Sequence, residues 1–434
     1  MRRSVQSYIN QWYKLENRKP LVIRGARQVG KTTLVRICAE QLGLQLIEIN
    51  LEKPLRFTQS LASANPVKVI ELIEFELNVD IQTDSCLLFF DEVQAIPEIL
   101  PLLRYFYEEA PEYAVVVTGS LLEFVLDEPE FSMPVGRVSF LHMGPMLFEE
   151  FLMAMGEHKL LDFLAHYQLA EDIPDVIHQR LTEYVKTYCI VGGMPEVVSE
   201  YAKNKSLKAI DLIKNDMVTA FQLDFGKYRK KTNSKLLSKV FYSLPHLIGQ
   251  KLKYTQLDRD VRAKDLNIII EQLCLAKLAY RVYHTHCNGV PLKGELVEKI
   301  FKMLFLDVGL AQSILGVTPL DYESEFDLNQ INKGAIAEQF IGQHLLFFQG
   351  ENQSPELFYW MREKKSSSAE VDYVISQNNR MYPVEVKSGK TGALRSLQLF
   401  VQEKSIAKAI RFNADTPSVL HEVRKTVQGE VNYT

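Results

Sequence analysis

Short apolar runs alternate with amphipathic stretches over the first third of the chain. Leu21-Val22-Ile23-Arg24 predicts a strand that ends in a glycine-rich loop. Leu34, Ile37, Cys38 and Leu42 then recur at helical spacing, and Gly43 marks the helix stop. Leu46-Ile47-Glu48-Ile49-Asn50 predicts the next strand. Cys86-Leu87-Leu88-Phe89-Phe90 and Ala114-Val115-Val116-Val117-Thr118 are continuous apolar runs, the pattern of strands buried on both faces. Strands alternating with helices predict an α/β fold, a parallel sheet with helices on both faces.

The pattern changes after Pro145. From Phe148 to about Phe225 it is mostly helical, interrupted by Gly192-Gly193-Met194-Pro195. Helical stretches from Gly226 lead to two strand-like runs, Leu278-Ala279-Tyr280-Arg281-Val282-Tyr283 and Met303-Leu304-Phe305-Leu306. Asn288-Gly289, Pro291 and Gly294 lie between them and predict a hairpin tip. Helices followed by a hairpin are the order of a winged helix. From about Gly334 the chain predicts a helix, strands around Asp372 and Glu385, and a polar tail. The expected units are therefore 1–147, 148–225, 226–333 and 334–434.

With 434 residues the chain is long enough for such a division, and 47% hydrophobic with 24% charged residues is a globular composition. A net charge of −4 excludes a uniformly basic nucleic-acid binder but not a local basic patch. The five cysteines form no C-x-x-C pair, and His284-x-His286-Cys287 fits no zinc spacing. No secretory signal pattern and no apolar run of membrane-spanning length is evident, so a cytoplasmic protein without a membrane partner is expected.

Gly25-Ala26-Arg27-Gln28-Val29-Gly30-Lys31-Thr32 matches G-x-x-x-x-G-K-[ST] at every fixed position, between a predicted strand and a predicted helix. Such a loop curls its N–H groups onto phosphate oxygens. Lys31 is expected to reach the β- and γ-phosphates of a nucleoside triphosphate and Thr32 to bind Mg2+. Thr33 extends the binding segment. Leu87-Leu88-Phe89-Phe90-Asp91-Glu92 matches a Walker B strand. Asp91 would hold the metal and Glu92 would polarise the attacking water. Ser120 or Thr118, ending the third strand, could sense the γ-phosphate, and Arg137 could reach a phosphate in its own or a neighbouring subunit. Each also has a plain reading, as turn residues and a surface arginine.

These segments, in this order, resemble a family of bacterial and archaeal ATPases in which an AAA-type domain is joined to a C-terminal domain of unknown function. The resemblance is carried by the phosphate loop through Leu34, by Phe90-Asp91-Glu92-Val93-Gln94, Val117-Thr118-Gly119-Ser120, Gly136-Arg137-Val138 and Gly192-Gly193-Met194-Pro195. Ala369-Glu370-Val371-Asp372-Tyr373 and Pro383-Val384-Glu385-Val386-Lys387-Ser388 carry it at the C-terminal end. It implies a P-loop AAA core, a winged-helix segment and a restriction-endonuclease-like C-terminal fold. The choice of ATP over GTP rests on it as well.

Asp372 followed by Glu385-Val386-Lys387 looks like the D…E-x-K core of nucleases of that fold. If the two strands pair, Asp372, Glu385 and Lys387 converge, and Glu338 on an earlier helix could complete the set. Alternating valine and charge is also the pattern of a half-exposed strand. Partners stay open between DNA, RNA and a protein. Lys227-Tyr228-Arg229-Lys230-Lys231, ahead of a helix over about Ala263 to Leu275, reads as a solvated helix end or as a phosphate contact. The expected function is a Mg2+-dependent ATPase controlling a nuclease-like effector. The alternative is a slow nucleotide-gated switch that recruits a protein and has an inactive C-terminal domain.

Overall fold

The computed structural model describes residues 1–53, 65–126, 133–169, 171–227, 233–317, 333–348, 350–364, 367–389, 394–426 and 429–433. Helix α1 (Gln6–Tyr13) leads into strand β1 (Leu21–Arg24), α2 (Lys31–Leu42) and β2 (Gln45–Asn50). Then come α3 (Pro66–Leu77), β3 (Cys86–Asp91), α4 (Ile99–Glu109), β4 (Ala114–Gly119), α5 (Leu122–Leu126) and β5 (Ser139–His142). The five strands form a sheet in the order β2-β3-β4-β1-β5, and every pairing is parallel. Successive side chains of a strand point to opposite faces. Leu87 and Phe89 accordingly enter a core with α1 and α2, while Leu88 and Phe90 enter another with α3 and α4. That two-sided burial is why β3 and β4 read as unbroken apolar runs.

Five helices follow: α6 (Phe148–Ala154), α7 (His158–His166), α8 (Asp175–Val191), α9 (Pro195–Asn204) and α10 (Leu207–Asp224). The interruption expected at Gly192-Gly193-Met194-Pro195 is the turn from α8 to α9, with Pro195 opening the second helix. Next come α11 (Ser234–Ser243), α12 (Tyr254–Leu257), α13 (Ala263–Leu275), β6 (Ala279–Thr285) and β7 (Leu296–Phe305). The last two form the expected antiparallel hairpin, longer than its apolar pattern indicated. In the basic run, residues Tyr228 to Lys231 lie outside the described residues.

The hairpin is not a free wing. After α14 (Val308–Ile314) and α15 (Lys333–Leu346) come β8 (Leu357–Lys364), β9 (Ser367–Gln377), β10 (Arg380–Val386), α16 (Arg395–Lys404) and β11 (Ile410–Phe412). β6 pairs in parallel with β8, giving a six-stranded sheet β11-β10-β9-β8-β6-β7. One sheet therefore runs across the boundary expected at 333/334. α15 packs on one face and α16 on the other, so the strands around Asp372 and Glu385 are buried rather than half-exposed. The expected polar tail instead contains α16, β11 and a closing hairpin, β12 (Glu422–Thr426) with β13 (Gly429–Tyr433). Among the described residues no helix is long and apolar enough to cross a membrane.

Candidate nucleotide site and C-terminal carboxylate cluster

The phosphate loop joins the C-terminal end of β1 to α2, at the sheet edge where open α/β sheets take ligands. Gly30 has φ +91°, a left-handed conformation that side chains with a Cβ rarely adopt. Arg3, which the sequence reading did not single out, braces the loop from behind. It donates to the carbonyls of Val29 (2.9 Å) and Gly144 (2.8 Å) and to the Glu150 carboxylate (3.1 Å).

Lys31 is buried, and its Nζ donates to the loop's own carbonyls at Gly25 (3.0 Å) and Ala26 (2.8 Å). Burial lowers its pKa to about 8, although Glu92 and Asp91 pull the other way. A phosphate arriving in the loop would give this ammonium a better partner than neutral carbonyls.

Asp91 ends β3 and is buried. The Thr32 hydroxyl donates to its Oδ2 at 2.9 Å, and the Thr118 hydroxyl donates to its Oδ1. One carboxylate and one hydroxyl on adjoining elements are hard oxygen donors that leave the remaining positions to water and phosphate, a set that fits magnesium. β4 lies between β3 and β1, so Thr118 and Ser120 stand between the loop and the two acids.

Glu92 has φ +56°, unusual for a residue with a side chain. Its Oε2 accepts from Gln94 Nε2 at 2.5 Å and from Ser120 Oγ at 3.1 Å. Ser120 is therefore placed against Glu92, and Gln94 joins it. Gln94 is two residues beyond the acidic pair, a proximity the motif alone does not flag. Arg27 leaves the loop sideways and pairs with Asp224 at the end of α10.

Arg137 is not brought to this site. It precedes β5, whose first residue Ser139 pairs with Leu21 at the start of β1, so it lies at the opposite edge of the sheet from the loop. There its Nε donates to Glu108 Oε1 at 2.7 Å. A phosphate contact within its own chain is thus replaced by an ion pair with α4.

At the C-terminal site β9 and β10 pair antiparallel, with Val384 opposite Tyr373, which sets Glu385 beside Asp372. Asp372 Oδ2 accepts from the Val386 N–H at 2.8 Å, and Lys387 Nζ donates to Glu385 Oε1 at 2.5 Å. Glu338 on α15 joins them. Burial, opposed by Lys302 but reinforced by Asp372 and Glu370, pushes its pKa above the usual carboxylate range.

The residue missed from sequence is Lys302 on β7, whose side chain is 2% exposed. Its ammonium lies 3.5 Å from Glu338 Oε2 and 3.9 Å from Asp372 Oδ1, pairs with Glu370, and sits over the Tyr359 ring. Burial lowers its pKa, but the three carboxylates more than offset this and hold it above the usual lysine value. The available signal was a lysine inside the apolar run Ile300-Phe301-Lys302-Met303-Leu304. These donors do not fit a divalent ion. Their shared space holds an ammonium, and among the described residues no group of three or more His, Cys, Asp or Glu side chains is arranged to hold a metal. The same holds for His284, His286 and Cys287.

Residues 17–152 match the profile of the AAA domain family. Residues 182–321 match a domain of unknown function (DUF8612), and 333–428 another (DUF4143). No curated protein matches the chain. Among solved structures it is similar to a Walker-type ATPase of Pyrococcus abyssi, with 14% identity, 71% of this chain and 94% of that one covered, and a TM-score of 0.45. It is also similar to PCH-2 of C. elegans, with 13% identity, 46% and 62% covered, and a TM-score of 0.28. A third is the Orc1 protein of Aeropyrum pernix in complex with DNA, with 13% identity, 76% and 95% covered, and a TM-score of 0.30. The N-terminal part is thus a P-loop domain of AAA type.

Proposed function

We propose that this AAA-domain protein is a magnesium-dependent ATPase whose nucleotide state controls its C-terminal domain. The observation that carries the reading is the pairing of Thr32 with Asp91 and of Ser120 with Glu92 at one sheet edge beside Lys31. Magnesium would be held by Asp91 and Thr32 and would supply neutralisation of the phosphate charge there. Lys31 exchanges its carbonyl partners for the β- and γ-phosphates. Asp91 and Thr32 face the metal, and Thr118 fixes the Asp91 carboxylate. Glu92 orients and polarises the attacking water, while Gln94 and Ser120 aim it. Arg137 is left to act, if on a phosphate, on that of a neighbouring subunit.

For the C-terminal domain, the convergence of Asp372, Glu385 and Lys387 with Glu338 supports a restriction-endonuclease-like fold acting on DNA or RNA. The order of α11, α12 and α13 before the β6–β7 hairpin supports a winged-helix-like unit beside it. A second reading is a nucleotide-gated switch that recruits a protein partner through an inactive C-terminal domain. Lys302 among the carboxylates favours it.

The deciding experiment is steady-state ATP hydrolysis titrated with duplex DNA, with Glu92→Gln as control. Turnover that rises with DNA and vanishes in the control supports the effector reading. Tight ATP binding with slow turnover indifferent to DNA moves the switch ahead. Turnover undiminished in Glu92→Gln removes Glu92 from the mechanism.

A further inference from the structure

The C-terminal carboxylates come from separate elements: Glu338 from α15, Glu370 and Asp372 from β9. All three turn toward one buried ammonium, delivered by a strand more than thirty residues earlier than the first of them. Burying a lone ammonium is costly, and a site tolerates it when carboxylates surround it. Burying several carboxylates together is equally costly without a cation. The lysine and the acids therefore satisfy one another. The face of Tyr359, with its centroid 5.2 Å from Nζ, adds a further favourable contact for the positive charge.

A divalent ion would compete for the same oxygens. It would approach a fixed positive charge on a buried lysine, where repulsion is less screened than in bulk water. Asp372 is engaged twice already, through Oδ2 by the Val386 N–H and through Oδ1 by Lys302.

We propose that Lys302 is the built-in cation of this cluster: its ammonium takes the place a divalent ion would need, so the wild-type cluster is closed to metal. Removing the charge leaves Glu338, Glu370 and Asp372, now spread around the ammonium, without a counter-ion, and they draw together on a divalent cation supplied to them. The inference rests on this cluster alone and on neither ATP turnover nor the choice between effector and switch.

Manganese is the probe, followed by its electron paramagnetic resonance on the nucleotide-free full-length protein and by melting temperature. Four proteins are compared: wild type, Asp372→Asn, Lys302→Met and the double variant. Any ion held near Thr32 and Asp91 is common to all four and cancels. Wild type and Asp372→Asn are expected to titrate alike. Lys302→Met is expected to bind an additional manganese, with a metal-dependent rise in melting temperature of roughly a few degrees, and the double variant to lose both.

Manganese binding by wild type that Asp372→Asn abolishes overturns the proposal. So does a folded Lys302→Met that gains no site. If Lys302→Met fails to fold, Lys302→Gln, which removes the charge and keeps a polar end group, repeats the test. The comparison of wild type with Asp372→Asn also decides on its own, since equal titrations sustain the closed cluster and unequal ones refute it.

Discussion

Asp307 accepts a hydrogen bond from the Gly193 N–H at 2.6 Å and thereby ties the end of β7 to the turn between α8 and α9. Its other oxygen accepts from the Leu310 N–H at 3.0 Å and caps α14. The same turn reaches the N-terminal P-loop domain through Gly193 O, which accepts from the Met146 N–H at 2.6 Å. A path of direct contacts thus leads from the segment behind the phosphate loop to the strand that carries Lys302.

Asp307→Ala removes a helix cap and strands a buried N–H donor, so a loss of about 2–4 kcal/mol in unfolding free energy is expected. Urea denaturation measures it. A loss within experimental error would show that the tie contributes little. Gly193→Ala should be worse, because its Cβ would collide with the Met146 carbonyl oxygen.

Thr118 is fully buried and offers its hydroxyl to Asp91. Thr118→Val keeps the shape and removes the donor. The Asp91 carboxylate loses one of the bonds that aim it, and a charge-assisted hydrogen bond is worth about 1.5–3 kcal/mol. The magnesium concentration for half-maximal turnover should rise about tenfold, with ATP binding in the absence of metal nearly unchanged. An unaltered magnesium titration would separate Thr118 from metal binding.

What could be read from sequence divides along a physical line. The phosphate loop, the Asp91-Glu92 pair and their strands are local: the chemistry and its supporting backbone lie within a few consecutive residues. β10 and the Asp372–Glu385 pairing were legible for the same reason, since adjacent strands with a short turn have little choice of partner. β8, with Leu357-Phe358-Tyr359-Trp360, was missed, and its parallel pairing with β6, some seventy residues earlier, is set only by the sheet. Arg27 with Asp224, Asp307 with Gly193 and Lys302 with Glu338 join residues far apart in the chain. No periodicity encodes such pairs. Only the placement of a charge in an apolar run hints that a buried partner exists.

Arg137 lies across the sheet from the phosphate loop, in an exposed ion pair with Glu108. Arg137→Ala should therefore leave the ATP dissociation constant of dilute protein within about twofold, since exposed pairs contribute little to stability either. Calorimetry at low protein concentration reads this directly. A loss of turnover that appears only at concentrations where subunits associate would assign the arginine to a neighbour's nucleotide. A large loss of affinity in the isolated chain would contradict its placement.

His344 gives stability a pH dependence with a definite sign. The imidazole is half-buried between α15 and α6. Its Nδ1 lies 2.7 Å from the Phe340 carbonyl, and its Nε2 accepts from the Phe148 N–H at 2.8 Å. Those partners require the neutral ring with the proton on Nδ1, because a charged ring would turn a second N–H toward the Phe148 N–H. Burial lowers the pKa to about 4, only partly opposed by the Phe340 hydrogen bond and Glu150. The unfolded chain, with histidine near its ordinary value of about 6.5, takes up a proton that the folded chain refuses. The stability contributed by the neutral ring is therefore fully present above pH ~6.5, declines as the pH falls, and is lost once the pH passes below ~4. His142, also held down to about 4 by burial, Arg24 and Lys277, adds to the same slope. His344→Gln keeps an acceptor for Phe148 and cannot titrate. Its unfolding free energy should fall less steeply between pH 6.5 and 4 than that of wild type, by up to ~3 kcal/mol across the window. The comparison of the two proteins isolates His344 from His142 and from the carboxylates. Parallel pH profiles would mean that this ring accepts a proton in the folded state as readily as in the unfolded one.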